Sequence, residues 1–150
     1  MVEKNEEIQR LLRKAIELTR LGKLEEAKVI YEKLLPYEIP EVYNNLGNIY
    51  RREGLLAKAV EMYRKAILLE PRFALAYFNM GCTFMELERY SEAIMFLEKA
   101  QSLGFEGFDL EVQLALCYLA VGDVWKAKKK MEDPKVYEEV RKFVDGGIDI

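Results

Sequence analysis

The sequence repeats itself. Tyr43-Asn44-Asn45-Leu46-Gly47-Asn48-Ile49-Tyr50 aligns with Tyr77-Phe78-Asn79-Met80-Gly81-Cys82-Thr83-Phe84 at an offset of 34 residues, with an aromatic, an Asn, a large aliphatic, a glycine and an aromatic in register. The same offset carries Ala59 onto Ala93 and Ala66 onto Ala100, and a further step reaches Leu114-Ala115, Tyr118 and Ala127. Backwards, Ala15, Leu18, Gly22, Ala27 and Tyr31 match Gly47, Tyr50, Gly54, Ala59 and Tyr63 at an offset of 32. A unit of this length is one supersecondary element that cannot bury its apolar face alone, so neighbouring units must stack.

Spacing within the unit predicts two helices and a turn. Small residues at Ala15, Gly47, Gly81 and Ala115 let a second helix approach the first, and Leu18, Tyr50, Phe84 and Tyr118 fill the space one turn on. Leu24, Leu56, Tyr90 and Val124 begin the second helices, with Ala27, Ala59, Ala93 and Ala127 as their contact points. Gly22, Gly54 and Gly122 suit the turn between the two, where positive φ is wanted; Glu88 stands there in the third unit and predicts a different turn. Pro71 stops the helix before it. Lys135 to Val144 reads as a short amphipathic helix capping the last unit, with Val136, Val140, Phe143 and Val144 on one stripe, Pro134 at its start and Gly146-Gly147 at its end.

This pattern resembles the tetratricopeptide-repeat family. Tyr43, Leu46, Gly47, Tyr50, Ala59, Tyr63, Ala66 and Pro71 match nearly all of its motif, and Tyr77, Met80, Gly81, Phe84, Ala93 and Ala100 repeat it, with Phe105 where the family prefers proline. The outer units match less well: Lys14 stands where a core Leu is expected, Glu111 replaces the first aromatic and Pro134 the last alanine. The resemblance implies an all-α, right-handed superhelical stack forming a single domain, with units over 8–39, 40–73, 74–107 and 108–134 and the capping helix over 135–144.

The residue inventory argues against an enzyme. There is no histidine, which removes the commonest general base and metal ligand. Ser91, Ser102, Thr19 and Thr83 therefore lack an imidazole to activate them, and the two cysteines, Cys82 and Cys117, make neither a disulfide framework nor a four-ligand zinc site. No cofactor and no metal are expected. Net charge is −3, which offers no footprint for nucleic acid, and the longest apolar run, Leu114 to Val121, is far short of a membrane span. Free cysteines and the absence of a leader-like segment at Met1 to Arg10 favour the cytoplasm. Glutamate and lysine are abundant, a bias shared by thermophilic proteins and by helical proteins at large.

The resemblance also implies a function: a non-enzymatic adaptor whose first helices line a concave groove that holds a peptide or a helix of a protein partner. The family's groove positions fall on Glu41, Asn44, Asn45, Asn48 and Arg51, then on Leu75, Phe78, Asn79, Cys82 and Met85, then on Asp109, Val112, Gln113, Leu116 and Leu119. One end is polar, with Arg51 and Arg52. The other is apolar, edged by Glu86 and Asp109. Asn45, Asn79 and Gln113 form an amide ladder suited to a ligand's backbone. The family's clamp for a chaperone's C-terminal carboxylate is missing, because its basic places hold Leu12, Leu75 and Asn79, or in the other register Asn44, Asp109 and Gln113.

Two features fit less simply. Lys126, Lys128, Lys129 and Lys130 read as a solvated face or as a patch for an acidic partner. Trp125 occupies an outward position, equivalent to Glu25, Ala57 and Ser91, which suits either packing beneath the C-terminal helix or a protein interface. The rival to the adaptor is accordingly an assembly module, a homo-oligomer made through the apolar groove end or the Trp125 surface.

Overall fold

The computed structural model describes residues 2–144. Among them the regular structure is helical: α1 Val2–Arg20, α2 Leu24–Leu34, a 3-10 turn over Leu35–Tyr37, α3 Pro40–Arg52, α4 Leu56–Leu69, α5 Ala74–Glu86, α6 Tyr90–Ser102, α7 Phe108–Ala120, α8 Val124–Lys130 and α9 Pro134–Arg141. The second helices begin at Leu24, Leu56, Tyr90 and Val124, as the repeat arithmetic predicts. Two compact units divide the chain, Met1–Ala76 and Tyr77–Ile150.

In the first unit, α1 packs on α2 and α3 on α4. Gly47 explains the second contact. A Cβ built there would lie 2.6 Å from Cε1 of Tyr63, so only glycine lets the buried ring lie against the α3 backbone. The Tyr63 hydroxyl then donates to Asn48 Oδ1 at 2.5 Å, which satisfies the one polar atom the ring brings inward. Lys28 ties α2 to the end of α3, its ammonium 2.9 Å from Glu53 and 3.0 Å from Glu25.

The second unit repeats this logic with other side chains. A Cβ on Gly81 would lie 2.7 Å from Leu97 Cγ, so α5 and α6 meet there. Phe96 adds a stack on Phe84, with centroids 5.3 Å apart and planes 8° apart. Ala115 and Ala127, both fully buried, mark the meeting of α7 and α8. The Tyr118 hydroxyl donates to Glu98 Oε2 at 2.7 Å, joining α7 to α6.

The turn inside each repeat is one hydrogen-bonded motif. Lys23, Leu55, Arg89 and Asp123 donate their amides to the carbonyls of Leu18, Tyr50, Phe84 and Tyr118 at 2.8–2.9 Å. The residue before each donor takes positive φ, as this helix ending requires. Three of those residues are glycines; the fourth is Glu88, at φ 60°. The expectation of a different third turn is therefore corrected: surrounding hydrogen bonds impose the left-handed conformation on a glutamate. Phe105 replaces the family's proline without loss of a stop, because Gly104, at φ 100°, ends α6 the same way.

The capping helix is shorter than expected. Pro134 begins it, Asp133 caps it through Lys135 N at 2.9 Å, and Val136 and Val140 are buried, with α9 against α7. Beyond Arg141 the chain tightens into bonds from Phe143 N to Val140 O and from Val144 N to Arg141 O. The helical stripe therefore ends at Val140, and Phe143 is 65% exposed. Gly146-Gly147, read as its end, lies outside the described residues.

Candidate functional site

The first unit places the polar candidates on α3. Asn48 is half-buried and already accepts from Tyr63. Asn45 is half-buried and hydrogen-bonds Tyr31. Burial raises the Tyr31 phenol, and hydrogen bonds from Thr19 and Asn45 partly offset that rise. Arg51 is half-buried, and Leu75, at the start of α5, is exposed. Asn44 is buried, 1% exposed, and so presents almost no surface to a ligand. It precedes Gly47 by three residues and shares that glycine's face, which looks at α4.

The second unit gathers the apolar candidates. Val112 is buried for the same reason, three residues ahead of Ala115. Asn79 is buried too, on the face of Ala76 and Thr83, and its carbonyl accepts from Thr83 Oγ1 at 2.8 Å. Of the three ladder amides, then, Gln113 is half-exposed, Asn45 serves Tyr31 and Asn79 lies inside. Phe78 stacks on Phe105 with centroids 4.5 Å apart. Cys82 is half-buried, Cys117 is fully buried, and Asp109 is exposed in the first turn of α7. Burial pushes the Cys117 thiol up to about 12, with a smaller contribution from Cys82, so at neutral pH it stays protonated.

What the second unit brings together is Met85, Leu116 and Leu119. They line a cleft of about 490 Å3 with Tyr90, Ala120, Phe143 and Val144. The expected single stripe from Phe78 to Leu119 is thus divided, with Phe78 engaged by Phe105 and Val112 in the core. Phe143 and Val144 were missed as site residues because helical spacing assigns them to a buried stripe; only the early end of α9 turns them to the cleft.

Trp125 is not covered by α9; it is 66% exposed. Its ring carries the Lys129 ammonium 4.8 Å from the centroid. It lines a separate cleft of about 480 Å3 with Glu111, Tyr118, Lys126, Lys129, Lys130, Glu132, Asp133 and Val136. Among the described residues, no cluster of Cys, Asp and Glu is arranged to hold a metal ion, and no helix is long and apolar enough to cross a membrane.

These elements define a class: tandem helix–turn–helix repeats with a glycine or alanine at each crossing and a left-handed residue at each turn. The chain belongs to the tetratricopeptide-repeat family, and profiles described as Tetratricopeptide repeat match residues 40–73 and 74–103. The chain is 33% identical over 94 residues to the human intraflagellar transport protein 88 homolog, covering 59% of this chain and 11% of that protein. The structure of Pseudomonas aeruginosa PilF superposes with a TM-score of 0.81 at 25% identity, over 93% of this chain and 68% of that one. YrrB, described as a tetratricopeptide-repeat protein with an unusual peptide-binding site, gives a TM-score of 0.67 at 25% identity, over 73% and 62%. A chain of such repeats has a protein-interaction or scaffold role, and the fold is generally a non-catalytic adaptor.

Proposed function

We propose that this chain is an adaptor that holds an apolar-anchored segment of a partner protein against α5 and α7 of the second unit. The cleft formed by Met85, Leu116, Leu119 and Phe143 carries this reading. Apolar side chains left half-exposed around a concavity gain about 25 cal/mol per Å2 when a partner covers them. The segment needs large apolar residues at helix or strand spacing. Asp109, exposed at the start of α7, favours a basic residue beside those anchors. A reducing compartment suits the two free thiols.

Peptide display against the whole chain tests this. Enriched peptides should share two or three large apolar anchors and bind Leu116→Glu at least about tenfold more weakly, the loss expected of a blocked anchor pocket. Peptides that bind Leu116→Glu as tightly as the parent chain would refute the reading. The same variant tests assembly through the cleft: if a second copy fills it, light scattering finds a dimer that Leu116→Glu converts to monomer.

A further inference from the structure

The surface around Trp125 shares no lining residue with the Met85–Leu116 cleft, and the adaptor reading leaves it unused. Trp125 is the chain's one tryptophan. At 66% exposure it forfeits most of the burial free energy an indole can supply. Val121 and Val124 beside it are exposed as well. An apolar body of this size on a rim of charges marks an interaction site.

Charge specifies the occupant. The chain's own groups satisfy much of the cleft: Lys130 pairs with Glu111 at 2.7 Å, Lys126 lies 4.0 Å from Asp123, and Asp133 caps α9. Lys129 instead holds its ammonium over the indole face, and Lys128 beside it is exposed, so these two cations outnumber the acid Glu132 at the rim. A side chain arriving at the indole meets ammonium groups already in place.

We propose that the Trp125 cleft docks an acidic segment of a partner protein. One large apolar side chain packs on the indole, and neighbouring Asp or Glu carboxylates are received by Lys128 and Lys129. Lysines beside an aromatic also attract single-stranded nucleic acid. The surroundings oppose that polyanion: residues 73–125 carry eight acids against two bases, so the positive patch is an island too small to track a phosphate backbone.

The tryptophan reports on its own site. The full chain is titrated with a short synthetic peptide of Glu and Leu around a central Phe, with the same peptide carrying Lys for Glu, and with a single-stranded oligonucleotide. Binding is read as a shift of tryptophan emission and, with labelled ligands, as anisotropy. The acidic peptide should shift the emission to shorter wavelength saturably and bind more weakly as salt rises. The double variant Lys128→Glu/Lys129→Glu, both surface positions, should bind it at least about fivefold more weakly, and Trp125→Ala at least about tenfold. Leu116→Glu should leave this binding unchanged, so failure here and failure of the adaptor reading are separate results. An absent shift, an equal response to the lysine peptide, tighter binding of the oligonucleotide, or indifference to the double variant would each overturn the proposal.

Discussion

Gly47 and Tyr63 fit each other at a separation no other residue allows: a Cβ on Gly47 would lie 2.6–2.9 Å from three atoms of the Tyr63 ring. Both residues are buried, and the ring is pinned at its far end by the hydrogen bond to Asn48. The ring cannot retreat without giving up that bond. Gly47→Val should therefore destabilise the first unit by about 1–3 kcal/mol through overpacking, despite the better helix propensity of any residue over glycine. Denaturant melts of the variant and parent measure this, and an unchanged midpoint would show that α3 and α4 can separate freely.

Glu88 and Gly22 provide a matched pair at the repeat turns. Both hold positive φ, 60° and 80°, and nothing lies within 4 Å of a Cβ on Gly22, so conformation alone decides the outcome. A left-handed L-residue costs about 1–2 kcal/mol, part of which glycine returns through its freer unfolded chain. Glu88→Gly should raise stability by about 0.5–1 kcal/mol and Gly22→Ala lower it by a similar amount. Thermal melts of the two variants should move in opposite directions.

The thiols should differ in reactivity. Cys117 is fully buried with its thiol held protonated, whereas Cys82 is half-buried. A disulfide reagent at pH 8 should modify Cys82 first in the native chain and reach Cys117 only on unfolding. Because the folded value, about 12, lies above the ordinary 9.0, burial of the protonated thiol contributes fully below pH 9 and is lost as pH rises toward 12. Tyr31 and Tyr118 are raised in the same direction. Melting temperature should accordingly fall on the alkaline side, and Cys117→Ala should make that fall shallower.

Most of the fold was legible because the repeat sets the helix boundaries independently of propensity. Leu24, Leu56, Tyr90 and Val124 start helices whose N-termini mostly lack a side-chain cap; only the aspartate before Val124 supplies one, so capping signals alone would have missed the others. The site was legible only in part. Asn44 and Val112 occupy groove positions by family register, yet each lies one turn from the contact residue of its own helix and is drawn into the core. Asn45 and Asn48 meet tyrosines from α2 and α4, a partnership between helices that no local spacing announces. Phe143 was misplaced because periodicity shows which face a residue takes only while the helix continues.

The C-terminal segment separates stability from binding. Val140 is fully buried beside α7, so Val140→Ala should cost about 2 kcal/mol from lost transfer and the cavity left behind. Phe143→Ala, at an exposed site, should stay within about 0.5 kcal/mol of the parent while weakening ligands of the cleft it lines. Equal destabilisation by both would place Phe143 in the core.

Methyl and amide NMR of the full chain, titrated with a display-selected peptide, tests the adaptor claim most directly. The account predicts shift changes concentrated at Met85, Leu116, Leu119, Phe143 and Val144, and their disappearance in Leu116→Glu. Changes centred on Trp125 and Lys129 instead, or confined to the α4 surface, would contradict it.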